Sequence, residues 1–215
     1  MLATLTTEAR NACRPMFHPA DEWQRKAARA IERATVTFLL GGAGSGKTHV
    51  AVASALLAVS GGSADAVWLC RPTVPCGDDL GFMPGDVHEK LGVWVHPVRD
   101  VLGSQTFTPL ERLPIEVQSL QHMRGRTVKR AVAVLDEAQN ATVAQLRMFL
   151  TRVGDGGKLI LTGDPMQSDL PGGTPLPRVV EALRGVAGVE IVQLRGQHRS
   201  SLVSQIDKRL SRIGG

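Results

Sequence analysis

The sequence predicts an α/β domain built on a parallel sheet with helices on both faces. Three observations lead there. An apolar, β-branched run from Thr35 to Leu40 passes directly into Gly41-Gly42-Ala43-Gly44-Ser45-Gly46-Lys47-Thr48, and an alanine- and valine-rich run from Val50 to Leu57 follows. Strand, glycine loop and helix in that order make the context of a phosphate-binding loop. Ala131 to Leu135 and Leu159 to Leu161 are continuously apolar, as parallel strands buried on both faces are. Apolar stripes at helical spacing separate the strand candidates, and strands alternating with helices imply parallel pairing.

Taken in order, residues 1–20 are polar with Pro15 and Pro19 and read as an N-terminal arm with little structure of its own; residues 21–215 read as a single domain. A helix starts at Asp21, whose side chain can cap it, with Gln24 three residues on as in a capping box. Trp23, Ala27, Ala30 and Ile31 form its apolar stripe. Strand 36–40, the glycine loop and helix 47–60 follow, and Gly61-Gly62 ends that helix. A second strand runs from Ala66 to Cys70 and stops at Arg71-Pro72. Residues 73–126 are the least regular: turns at 77–79 and 81–86, a helix over 87–102 interrupted by Gly92 and Pro97, and a weak strand at 115–117. Regularity returns with strand 131–135, helix 143–152, strand 159–161, a Pro/Gly loop over 170–177, a helix near 179–183 and strand 189–194. A last helix over 200–213 should bury Leu202, Val203, Ile206 and Leu210.

A chain of 215 residues can bury a full core, and its hydrophobic (43%) and charged (21%) contents are those of a globular protein. No apolar run is long enough to span a bilayer and no signal-peptide core opens the chain, so a cytoplasmic location is expected. Cys13, Cys70 and Cys76 are too few for a disulfide framework or a zinc set, and six scattered histidines offer no metal pair. The net charge of +5 is unevenly spread. Arg124, Arg126, Lys129 and Arg130 form one cluster; Arg195, Arg199, Lys208, Arg209 and Arg212 form another. Such clusters suit nucleic-acid phosphates and solvated surfaces alike. Aromatic residues are only 4% of the chain, with no tyrosine, which leaves few platforms for base stacking.

The chemistry starts at the glycine loop. Gly41, Gly42, Ala43, Gly44, Ser45 and Gly46 let backbone N–H groups turn inward around an anion, and the next helix aims its positive end at the same place. Lys47 would reach the β- and γ-phosphates of a nucleoside triphosphate, Thr48 would hold Mg²⁺, and His49 completes the candidate nucleotide contacts. The alternative is a glycine-rich turn with an exposed lysine. Asp136, at the end of a buried strand, would hold Mg²⁺ opposite Thr48, and Glu137 would orient and polarise the attacking water. An acidic helix cap is the competing reading of that pair. Gln167 would contact the γ-phosphate or the lytic water, or be an ordinary loop glutamine. Gln24 has two readings, an adenine-edge contact or a helix cap.

Beyond single residues, Gly42–Thr48, Arg71-Pro72, Gly81-Phe82-Met83-Pro84-Gly85-Asp86, Met123-Arg124-Gly125-Arg126-Thr127, Leu135–Asn140, Met148–Arg152, and Thr162-Gly163-Asp164 with Gln167 through Pro171 resemble the PhoH family. In order and spacing these blocks cover residues 22–205. The resemblance implies a cytosolic ATPase with a single RecA-like domain, similar to one domain of superfamily-one helicases, acting in RNA metabolism with ATP, Mg²⁺ and single-stranded RNA. It favours the adenine-contact reading of Gln24 and the γ-phosphate reading of Gln167. Where typical members carry a longer segment before the final helix, this chain has the short Arg195-Gly196-Gln197-His198-Arg199. No fused N-terminal nuclease domain is expected, so RNA cleavage is not implied.

Helicases of this class place ATP between two RecA-like domains, the second supplying an arginine to the transition state. This chain has room for one such domain. The expectation is therefore a homo-oligomer, with a hexameric ring implied by the resemblance, in which a neighbouring copy supplies that arginine. Arg199 is the first candidate, then Arg152 and Arg126. The competing function is an ATP-switched RNA-binding module without helicase activity; a small-molecule kinase would need a substrate lid.

Overall fold

Among the described residues six parallel strands form one sheet: β1 (Val36–Leu40), β2 (Ala66–Arg71), β3 (Ile115–Ser119), β4 (Ala131–Leu135), β5 (Lys158–Gly163) and β6 (Val189–Gln193). They lie in the order β3-β2-β4-β5-β1-β6. The computed structural model describes residues 5–72, 96–103 and 112–198, together with Leu202, Val203, Ile206 and Arg209. Its helices are α1 (Thr7–Ala12), α2 (Glu22–Arg33), α3 (Lys47–Ser60), α4 (96–102), α5 (Val143–Leu150) and α6 (Leu176–Ala182).

Alternation along each strand sorts the core into two layers. Leu39, Val67, Leu69, Val132, Val134 and Ile160 face Ala27, Ile31, Val52 and Leu56 of α2 and α3. Phe38, Leu40, Trp68, Ala133, Leu135 and Leu161 face Leu146 and Phe149 of α5 and Leu176 and Val180 of α6. Every residue of β1 and β4 is buried, which explains their continuously apolar sequence. β3 and β6 are the edges and are only partly buried, so β3 reads weakly in the sequence.

The α/β expectation is met: the sheet is wholly parallel and helices cover both faces. Element boundaries differ where local chemistry outweighs periodicity. The segment expected to be a loose arm contains α1, capped by Thr6. Arg10 secures it by donating to the carbonyls of Val59 (2.9 Å) and Ala64 (3.2 Å) and to Asp65 (3.0 Å). A six-residue helix, fastened by the long-range bonds of Arg10 and by Ala12 against the core, leaves no helical period to read. Helix α6 starts earlier than expected because proline is tolerated at a helix's first positions. The strand expected at 159–161 begins at Lys158, whose ammonium donates to the carbonyls of Ile31, Glu32 and Ala34 and caps the end of α2. The C-terminal stripe is also corrected: Leu202, Val203 and Ile206 are helical but exposed. Leu210 and the turns at 77–86 lie outside the described residues. No helix among the described residues is long and apolar enough to cross a membrane.

Phe149 is fully buried beneath the sheet. Phe149→Ala should lower the unfolding free energy by about 3–5 kcal/mol, read from a urea titration. Burial also pushes the Cys13 thiol up to about 11 and the Cys70 thiol up to about 12. Thiolate being the reactive form, both should resist iodoacetamide in the native protein at about pH 8, as peptide mass mapping will read, and react on unfolding.

Candidate functional site

Parallel pairing brings three chain ends together. β5 lies between β4 and β1, so the segments leaving these strands emerge side by side. They are the loop 41–48 after β1, Asp136-Glu137 after β4 and Asp164 to Gln167 after β5. Between them is a cavity of about 410 Å³, lined by Ala43, Gly44, Gly46, Lys47, Thr48, His49, Pro97, Glu137, Asp164 and Gln167.

The loop's glycines have separate reasons. Gly44 and Gly46 have φ of 79° and 81°, the left-handed region that favours glycine. Gly41 has no room for a side chain, since a Cβ would stand 2.6 Å from the Leu194 carbonyl oxygen. Gly42 is exposed and open, and Ser45 donates to its carbonyl at 2.8 Å. Lys47 folds over the loop and donates to the carbonyls of Gly41 (2.6 Å) and Gly42 (2.9 Å). Helix α3 begins at Lys47 without a side-chain cap, which leaves its first N–H groups turned toward the cavity end of the helix.

Asp136 is the most connected side chain of the site and is 1% exposed. One carboxylate oxygen accepts from Thr48 Oγ1 at 2.8 Å and from Thr162 Oγ1. The other accepts from Arg71 Nη2 (2.6 Å) and Nε (3.2 Å). Glu137 follows with φ 55°. This left-handed turn ends β4 and leads into the 3-10 turn Ala138–Asn140. Gln139 bridges the two flanking acids: its amide donates to Glu137 at 2.5 Å, and its carbonyl accepts from the Asp164 N–H at 3.1 Å. Gln167 is exposed at the cavity, its N–H donating to the Asp164 carbonyl.

The far wall joins α2 to the loop. Asp21 accepts from the Gln24 N–H at 2.7 Å, as expected of a cap. The reciprocal bond differs: Gln24 Oε1 accepts from Ala20, one residue before the cap, at 2.9 Å. The amide nitrogen of Gln24 lies against the loop, since a Cβ on Gly46 would stand 2.5 Å from it. His49 packs on the Phe17 ring, centroids 5.5 Å apart; burial first, and the nearby His198 as well, hold its pKa below the usual histidine value against Asp100. The segment after β6 returns to the same place. Leu194 donates to the Leu40 carbonyl (2.7 Å), and the His198 N–H to the Gly44 carbonyl (2.9 Å). The His198 ring pairs with Asp21 at 3.1 Å, and Arg195 lies over Trp23.

Of the residues singled out from the sequence, 41–49, Asp136, Glu137, Gln167 and Gln24 therefore gather at one site. Arg199 and the block 81–86 lie outside the described residues. Arg126 sits elsewhere, stacked on Trp68 and paired with Glu116 beside the first residues of β2, β3 and β4, at the opposite edge of the sheet. Arg152 lies just past α5, which ends at Leu150 and not at 152 as expected, and donates to the Met148 carbonyl of that helix. No role for Arg71, Thr162, Gln139, Asp164 or His198 was readable from the sequence. The first four stand in recognisable blocks, Thr162 directly after the apolar Leu159–Leu161 run; His198 carried no signal. The oxygen donors of Thr48 and Asp136, beside a phosphate-type loop, suit Mg²⁺, which takes one or two carboxylates together with a substrate's phosphates. Among the described residues no cluster of three or more His, Cys, Asp or Glu forms a separate metal site.

The family described as "PhoH-like protein" matches residues 16–211. A PhoH-like protein of Bacillus subtilis (strain 168) is 44% identical over 178 residues, which is 80% of this chain and 56% of the relative. One from Mycobacterium leprae (strain TN) is 40% identical over 194 residues, 85% of this chain and 55% of the relative. The chain thus spans about half the length of the curated relatives it matches. Among solved structures, the large terminase of a thermophilic bacteriophage aligns with a TM-score of 0.61 at 13% identity, over 92% of this chain and 51% of that one, a likeness of fold alone. The fold is that of an α/β P-loop NTPase.

Arg71→Ala would leave the buried Asp136 carboxylate short of two charge-assisted bonds. Unfolding free energy should fall by about 2–3 kcal/mol in a denaturant titration, with partial recovery in Arg71→Lys.

Proposed function

The chain belongs to the PhoH-like protein family, and we propose that it is a Mg²⁺-dependent ATPase whose hydrolysis is coupled to binding and remodelling of RNA. One observation carries the reading: a single cavity is lined by the glycine loop and Lys47 together with Glu137, Asp164 and Gln167.

In this reading the loop N–H groups and Lys47 bind the β- and γ-phosphates, Lys47 exchanging the Gly41 and Gly42 carbonyls for phosphate oxygens. Gln24 and His49, beside Gly46 and Phe17, border the nucleoside end. Thr48 and Asp136 hold Mg²⁺, which neutralises charge on the phosphates when bound. Glu137 takes a proton from the water that attacks the γ-phosphorus; the β–γ bridging P–O bond breaks, and ADP leaves with that electron pair. Gln139 fixes the Glu137 carboxylate for this work. Gln167, beside Asp164, contacts the γ-phosphate or the attacking water.

The transition state needs a cation that the described residues do not bring to the cavity opposite Lys47. A second copy of the chain supplies it in a hexameric ring, with Arg199 the first candidate. A cytoplasmic location fits this chemistry. A second reading, an ATP-switched RNA-binding module that unwinds nothing, is favoured by the sparse aromatics. Duplex unwinding measured with hydrolysable and non-hydrolysable ATP separates the two.

Lys47→Ala should abolish ATP binding in equilibrium dialysis. Glu137→Gln should retain binding while turnover falls about 10²–10⁴-fold; full turnover in that variant would remove Glu137 from the chemistry. EDTA should stop hydrolysis and added Mg²⁺ restore it. The rate per subunit should rise with protein concentration if the site is completed between copies.

A further inference from the structure

Along the sequence, the chain's excess positive charge concentrates in residues 124–130 and 195–212. In space much of the first cluster is already spent: Arg126 pairs with Glu116 at 2.9 Å, and Arg130 with Asp65 at 2.7 Å. Among the described residues, unspent charge gathers in a row on α2. Arg25, Lys26, Arg29 and Arg33 are all exposed, and none of their side chains makes an ion pair or hydrogen bond with another described residue. Arg25, Arg29 and Arg33 recur every four residues and so rise in one row, about 6 Å apart along the axis. With Lys26 and Glu22 they line a shallow groove of about 400 Å³. Glu22 stands at its beginning and Glu32 on its flank, so three spaced arginines and a lysine face two carboxylates on this helix.

We propose that this face of α2 is a track for the phosphate backbone of single-stranded RNA, and that it reports occupancy to the ATP site. The inference rests on the proposed function above, its first half on the RNA reading and its second half on the ATPase reading. A protein partner fits less well, because interfaces are built around a buried apolar or aromatic centre depleted of charge, and this face has none. A row of cations without a base-stacking aromatic suits a backbone, read by charge and not by sequence. The route to the ATP site is short. The same helix carries Gln24 against Gly46 and is capped by Asp21, which pairs with His198, whose N–H holds the Gly44 carbonyl. The opposite end of α2 is held by Lys158. A polyanion drawn along the outer face therefore pulls on a rod whose inner side touches the loop.

The test uses the full chain with Arg25, Arg29 and Arg33 all changed to Gln, a substitution of similar helix propensity. Binding of a fluorescent oligouridylate is titrated without nucleotide from low to high salt. The slope of log affinity against log salt should become shallower by about 2, since each phosphate contact contributes about 0.7 for a single strand. Basal ATP turnover should be unchanged and its stimulation by the oligouridylate lost. An unchanged slope would overturn the track while leaving RNA binding to another surface. No binding by the unsubstituted chain would overturn the RNA reading itself, and absent turnover with intact binding would overturn the ATPase reading alone. If the variant instead alters sedimentation of the protein and not its RNA affinity, the face is a contact between copies and the proposal fails.

Discussion

The carboxylate of Asp136 is the constraint on which the rest of the site depends. It is almost wholly buried at the end of β4 and accepts hydrogen bonds from Thr48, Thr162 and Arg71. Those partners come from the loop after β1, from β5 and from the end of β2. One charge therefore ties four of the six strands together at the edge where the cavity opens. A buried carboxylate is costly unless every lone pair is used, and here the donors are arranged so that they are. Its stabilisation and the alignment of the loop are one energetic fact.

Around that centre each acidic residue is steered by a neutral partner. Gln139 holds Glu137 with its amide and the Asp164 N–H with its carbonyl, spanning the ends of β4 and β5. A side chain at Gly163 would crowd this corner, because a Cβ there would stand 2.6 Å from a Leu176 methyl and 3.1 Å from Gln139 Oε1. Asn140 and Asp169 bond reciprocally and draw the chain after Gln167 back onto the turn. The apolar face beneath, with Phe149 and Leu176, gives these polar groups a rigid floor.

Sequence alone reveals those parts of the molecule that have local signatures. The buried strands are continuous apolar runs, the loop has its glycines, and Asp21 caps as a cap should. The acidic pair follows a strand end, so its position is readable as well. What escapes are bonds between residues far apart in the chain. Nothing near Arg71 announces Asp136, and nothing near Arg10 announces Val59 and Asp65. The basic residues show the same limit in reverse. Residues 124–130 look free of acid locally, yet Asp65 and Glu116 reach two of them across the sheet. The α2 cations look diluted by Ala27, Ala28, Ala30 and Ile31, and only the helix gathers them on one side.

The segment leaving β6 has a consequence of its own. Leu194 is fixed to Leu40, and four residues later His198 holds Gly44, so the chain departs the sheet along a line set by the loop. Loop and exit share one hinge line: the hydrogen bond that places Gly44 is the same one that sets the heading of the chain as it leaves the sheet.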